Sequence, residues 1–241
     1  PCPLEQLYVM LKQDSRHDEA LPVVERAAER DPGDAGLQLK LGIEYGIARK
    51  TVEAERSFRR AIAADPLLSD AYLGLIIQYE HSNKEDQFAP LIALAEANGV
   101  DYGVQAFMRA MELRRAKRFD EALASLADVP ASVEPERTVH IRATLLDRLD
   151  RSDEAFAAFV AANVMHQESP TEPLRRAAEA RAELDAEMAM LTPEWVAGWT
   201  KAAPASERPA PVFLVGFPRS GTTLLDTILM GHPDTVVLEE Q

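Results

Sequence analysis

Apolar residues return along the first two thirds of the chain at a fixed interval. Ala20, Ala54, Phe88 and Ala122 are each 34 positions apart, and Ala155 follows at 33. Val24, Phe58, Ile92, Leu126 and Phe159 keep the same phase, as do Leu11, Tyr45, Tyr79, Leu113 and Leu146. Asp31-Pro32 returns as Asp65-Pro66, and Pro22 and Pro90 share one phase two periods apart. Several columns in register define an internal repeat.

Within one period the spacing is helical. Leu37, Leu41, Tyr45 and Ala48 fall three to four residues apart on one stripe. After a short polar turn, Arg49-Lys50-Thr51, a second stripe follows at Ala54, Phe58, Ala61 and Ile62. Each period therefore predicts two helices. A small residue at the Ala54 phase lets two antiparallel helices approach closely. Asp-Pro predicts where the second helix stops, because a residue preceding proline is disfavoured in the α region.

Leu41-Gly42, Tyr45, Ala48, Ala54, Phe58, Ala61 and Pro66 resemble the tetratricopeptide repeat (TPR), a helix–turn–helix unit of about this period. The resemblance covers about residues 4–167 as about five helix pairs, and is strongest in the second. Phe88 replaces the small residue of the third unit, and Ile76 stands where the pattern has glycine, which predicts local distortion there. The resemblance implies a right-handed α-solenoid (residues 1–167) in which neighbouring pairs bury one continuous core. It also implies a concave groove, either gripping a protein or peptide or filled from within the chain. The Tyr45 and Tyr79 column is expected to pack in the core.

Residues 168–200 read as bridging helices. Thr171-Glu172-Pro173 predicts a helix start with Thr171 as cap. Leu174, Ala177, Leu184, Met188 and Leu191 make the helix long and amphipathic. Thr192-Pro193-Glu194 predicts a shorter helix carrying Trp195 and Trp199 one turn apart. That pair is expected to pack between the solenoid and a following domain, with a ligand contact as the alternative. Residues 201–210, with Pro204 and Pro209, read as a stiff linker.

Residues 211–241 change character. Val212-Phe213-Leu214-Val215 is a continuous apolar run that predicts a buried parallel strand. Gly216-Phe217-Pro218-Arg219-Ser220-Gly221-Thr222-Thr223 follows, then Leu224, Leu225, Ile228 and Leu229 at helical spacing, then Gly231-His232-Pro233. Strand, glycine-flanked loop and helix together make an anion site, because free N–H groups at the helix start converge on a phosphate. Arg219 adds a forked, charged donor. Gly216 and Gly221 have the spacing of a nucleotide-triphosphatase loop, but Thr222 occupies the lysine position. A serine-hydrolase elbow around Ser220 fails because position 218 is proline.

The run from Phe213 to Leu225 with His232-Pro233-Asp234 resembles the 5′-phosphosulfate loop of sulfotransferases that use 3′-phosphoadenosine-5′-phosphosulfate (PAPS). It is similar to the protein-tyrosine sulfotransferase branch and to bacterial sulfotransferases with a TPR arm. The resemblance implies that Arg219, Ser220, Gly221, Thr222 and Thr223 hold the donor's 5′-phosphosulfate. It implies Arg219 as stabiliser of the transferring group and Glu240 as catalytic carboxylate, with no metal. Leu238 departs from the glycine that the family places before its glutamates, so a solvated surface role for Glu239 and Glu240 stays open. The fold expected here is mainly α: a TPR solenoid followed by the truncated opening βα unit of a P-loop-like α/β sulfotransferase domain.

Composition narrows the partners. With 26 Lys+Arg against 40 Asp+Glu, the net charge is −14, which disfavours nucleic acid as a partner. The lone cysteine, Cys2, excludes an intramolecular disulfide framework and suits a cytoplasmic setting. No apolar run reaches the length of a membrane span. The five histidines show no metal spacing. The expected function is transfer of a sulfuryl group from PAPS to an acceptor hydroxyl, with the TPR arm recruiting protein or acceptor. The alternative is a TPR adaptor without catalysis. The missing initial Met and the stop inside the motif unit lead us to expect a fragment, inactive by itself.

Overall fold

The computed structural model describes residues 3–13, 16–169, 171–199, 212–216 and 220–238. The chain divides into two units, Pro1–Ala180 and Arg181–Gln241. The linker expected at 201–210 lies outside the described residues.

The first unit contains five helix pairs: α1 (Pro3–Gln13) with α2 (His17–Arg30), α3 (Ala35–Ile47) with α4 (Thr51–Ala64), α5 (Ser69–His81) with α6 (Phe88–Asn98), α7 (Tyr102–Arg115) with α8 (Phe119–Leu126), and α9 (Pro135–Arg148) with α10 (Ser152–Gln167). Helix α11 (Pro173–Met190) crosses into the second unit, which also holds α12 (Pro193–Ala197) and α13 (Thr222–Met230).

The repeat is visible in the turns. Arg49, Asn83, Lys117 and Asp150 all take a left-handed conformation, with φ of 56°, 53°, 59° and 58°. The next residue's N–H then reaches back to the tyrosine or leucine of one sequence column: Lys50 to Tyr45 (2.8 Å), Lys84 to Tyr79 (2.9 Å), Arg118 to Leu113 (2.9 Å) and Arg151 to Leu146 (3.0 Å). This six-to-one closure satisfies a carbonyl that the helix end leaves free. The second helices stop at Asp31 and Asp65, whose φ of −136° and −137° leave the helical region just before proline. Gln38 and Tyr72, one period apart, each hydrogen-bond a proline carbonyl just upstream, of Pro32 (3.3 Å) and Pro66 (3.0 Å).

Small residues hold the pairs together. Ala20, Ala54 and Ala122 are fully buried where the helices of a pair meet. The third pair departs from this, as expected from Phe88. A 3-10 turn at Glu85–Gln87 replaces the first helical turn, and α6 starts only at Phe88, whose ring is fully buried. A bulky ring in the alanine position cannot fit at the same interhelical distance, so the helix start gives way. Tyr79 is buried and Tyr45 half-buried between two core clusters, so that column packs in the core. Buried Glu44 ties α1 to α3, accepting from Tyr8 Oη and pairing with Lys12, both at 2.8 Å.

Two local expectations are corrected. Thr171 does not cap α11: Glu172 intervenes with φ 47°, and Thr171 instead pairs with Ser169 at 3.1 Å. A positive φ turns the chain between Thr171 and the first helical N–H groups, which its side chain therefore does not reach. The strand expected at 212–215 is also not formed. Those residues have no regular secondary structure, and no neighbouring strand exists among the described residues to complete a ladder. Val212, Phe213 and Val215 are correspondingly exposed. The α/β sheet of a P-loop-like domain is thus absent from the described residues, which are helical and irregular.

Candidate functional site

The loop before α13 is wound by two glycines. A Cβ added to Gly216 would lie 2.5 Å from Ser220 Oγ and 2.7 Å from Thr222 Cγ2, so the loop returns onto its own first residue. Gly221 has φ 92° and ψ 12°, a left-handed conformation that a side chain would strain. It stands at the N-cap of α13, where its carbonyl accepts from Leu225 N at 3.1 Å. Among the described residues no side chain caps this end. The N–H groups of Thr222, Thr223 and Leu224 therefore lack intrahelical partners and point out of the positive end of the helix dipole.

Ser220, Gly221, Thr222 and Thr223 follow one another through the N-cap and into the first turn of α13. Arg219 and Glu240 lie outside the described residues. The far end of α13 is closed by a residue that the sequence reading passed over. Thr235 Oγ1 donates to the carbonyl of His232 at 3.2 Å and also to that of Leu229, and Asp234 N donates to His232 Nδ1 at 3.2 Å. Hydroxyl and imidazole after a helix-closing glycine were the available signal. This closure holds the His-Pro turn against the helix that carries the loop.

Other candidates are quieter. The short helix expected at Thr192-Pro193-Glu194 is α12, and Thr192 caps it by accepting from Trp195 N at 3.1 Å. Trp195 and Trp199 pack edge-to-face, with centroids 4.8 Å apart, and both stay exposed. Among the described residues no group of three or more His, Cys, Asp or Glu side chains is placed to hold a metal. No described helix is long and apolar enough to cross a membrane.

The repeating pairs define a TPR-type helical repeat, and a glycine-bracketed turn with a short helix follows it. Comparison with known proteins bears on both parts. Residues 211–241 match the Sulfotransferase family. The solenoid is similar to the crystal structure of TTC0263, a thermophilic TPR protein of Thermus thermophilus, at 23% identity, covering 74% of this chain and 96% of that one with a TM-score of 0.56. This establishes the TPR fold. MamA of Desulfovibrio magneticus RS-1 (residues 41 to the end) aligns at 11% identity over 69% of this chain and 94% of its own, with a TM-score of 0.49. MamA from AMB-1 aligns at 24% identity over 69% and 99%, with a TM-score of 0.47. No curated protein matches the chain.

Proposed function

We propose that this chain is the TPR arm and donor-loop segment of a PAPS-dependent sulfotransferase that acts on an acceptor hydroxyl. The observation that carries this reading is the coincidence of the family match at 211–241 with a loop that leaves no room for a side chain at Gly216 and opens uncapped N–H groups at Thr222 to Leu224.

The turn's residues fit an anionic tail. The N–H groups of the first turn donate, the Ser220, Thr222 and Thr223 hydroxyls add directed hydrogen bonds, and Gly221 lets the backbone come close. Arg219 supplies a charged fork to the transferring oxygens and stabilises the charge that develops there. Glu240 takes the acceptor's hydroxyl proton as general base. PAPS, when bound, supplies the activated sulfuryl group. The solenoid recruits the protein or other acceptor that carries the hydroxyl.

Calorimetry with 3′,5′-phosphoadenosine on the protein carrying this chain tests the reading. Saturable binding that weakens about tenfold to a hundredfold in Arg219→Ala and Thr222→Ala is expected, the worth of a hydrogen bond to a charged group. Binding indifferent to both substitutions would overturn it. A TPR adaptor without catalysis is the second reading, supported by the extent of the solenoid. It predicts saturable capture of a defined protein partner by the repeats with no nucleotide binding at all.

A further inference from the structure

In a regular solenoid, positions one period apart share the same burial. One face breaks this rule. Ile43 is 42% exposed, its equivalent Ile77 is half-buried, and the next, Met111, is fully buried. Leu39, Leu73 and Phe107 follow the same trend, from half-buried to 5% and 0% exposed. The face closes progressively from the second pair to the fourth.

The same region holds one carboxylate shared by three arginines. Glu80 on α5 pairs with Arg114 on α7, with Arg115 Nε at 3.5 Å and with Arg137 Nη1 of α9 at 3.2 Å, and its side chain is only 8% exposed. Arg115 also donates to the Glu80 carbonyl at 3.4 Å. The first helices of three successive pairs therefore meet at one side chain. Arg137, in the first turn of α9, thus reaches the last turn of α5 past the intervening pair. The connection 127–134 packs there too: Val133 belongs to the core cluster that holds Leu73, Phe107 and Met111, and Pro130 sits against Gly103. Burial lowers the Arg114 guanidinium below its ordinary value despite Glu80, so this meeting point is poorly hydrated.

We propose that Glu80 and its arginines form a latch that holds the inner face of the third to fifth pairs shut over Phe107 and Met111, while the first two pairs keep that face open. Release of α9 from Glu80 uncovers a second stretch of apolar groove. Release of Arg137 leaves Glu80 still paired with Arg114 and Arg115, so opening costs this one contact and bares no buried charge.

The full chain carrying Arg137→Ala tests the latch by hydrogen exchange and by peroxide oxidation of methionine. Exchange over residues 127–140 and sulfoxide formation at Met111 are each expected to rise about tenfold, as local opening does when its free energy falls. Met108 is the internal control. It is equally buried, but its period-equivalent Gly74 faces Phe58 rather than the closing side, so its oxidation stays unchanged. Glu80→Gln is expected to give the same pattern. Should that variant not fold, Arg137→Ala still decides. Unchanged exchange and Met111 oxidation in Arg137→Ala overturn the latch, and so does a rise that Met108 and the amides of α3 and α4 share.

Discussion

The ring of Phe58 lies so close to Gly42 that a Cβ on that glycine would sit 2.7 Å from its Cε1, and the same ring atom would meet a Cβ on Gly74 at 2.5 Å. One aromatic side chain is thus clamped between the first helix of its own pair and the first helix of the next. Ile76 stands where the repeat pattern has glycine, yet the space the ring needs is provided two residues earlier.

Gly42→Ala and Gly74→Ala are each expected to cost about 1–3 kcal/mol, as overpacking of a well-filled core does. Urea unfolding measures this. If Phe58→Leu does not recover part of the loss in the double variant, the clamp is not the cause.

The tyrosines give the solenoid an alkaline limit. Burial, with help from the Glu25 carboxylate, pushes Tyr45 up to about 12, and burial with Glu44 raises Tyr8 further. Burial also raises Tyr79. A raised folded value means that the neutral form is favoured in the native state. The stabilisation is therefore fully present below the ordinary tyrosine value near 10 and is lost as pH rises towards 12. Urea midpoints should be level from about pH 8 to 9 and fall beyond pH 10, and absorbance titration should show a class of late-ionising phenols.

The left-handed turn residues make a conformational prediction. Lys117→Val is expected to destabilise by about 1–2 kcal/mol, because a β-branched side chain is strained at positive φ. Lys117→Gly should stay within about 0.5 kcal/mol of the parent, since relief of strain offsets added chain entropy. Thermal unfolding of the two variants separates them.

At the loop, Gly216→Ala is expected to weaken 3′,5′-phosphoadenosine binding about tenfold or more while leaving the urea unfolding of the solenoid unchanged, since the added methyl meets Ser220 and Thr222. Equal binding by this variant would show that the turn tolerates a wider course than the one described.

Much of the architecture was readable from residue order alone. The period, the five pairs, the stops before Pro32 and Pro66, the alanine column and the disturbance at Phe88 all depend on contacts between neighbours at fixed spacing, which a repeat imprints on the sequence. The helix after the glycine-bracketed loop was equally legible, because glycine spacing and helical periodicity are local features. Tertiary structure alone decided the rest. Arg49 and Lys117 adopt a left-handed conformation that their side chains, unlike those of Asn83 and Asp150, do not favour, and the closing hydrogen bond to the tyrosine and leucine column goes with it at all four positions. The apolar run at 212–215 stayed without a ladder, since a strand exists only through its neighbour. The meeting of Arg137 with Glu80, 57 residues apart, joins the fifth pair to the third. It depends on how successive pairs are placed against one another, and no single period contains that.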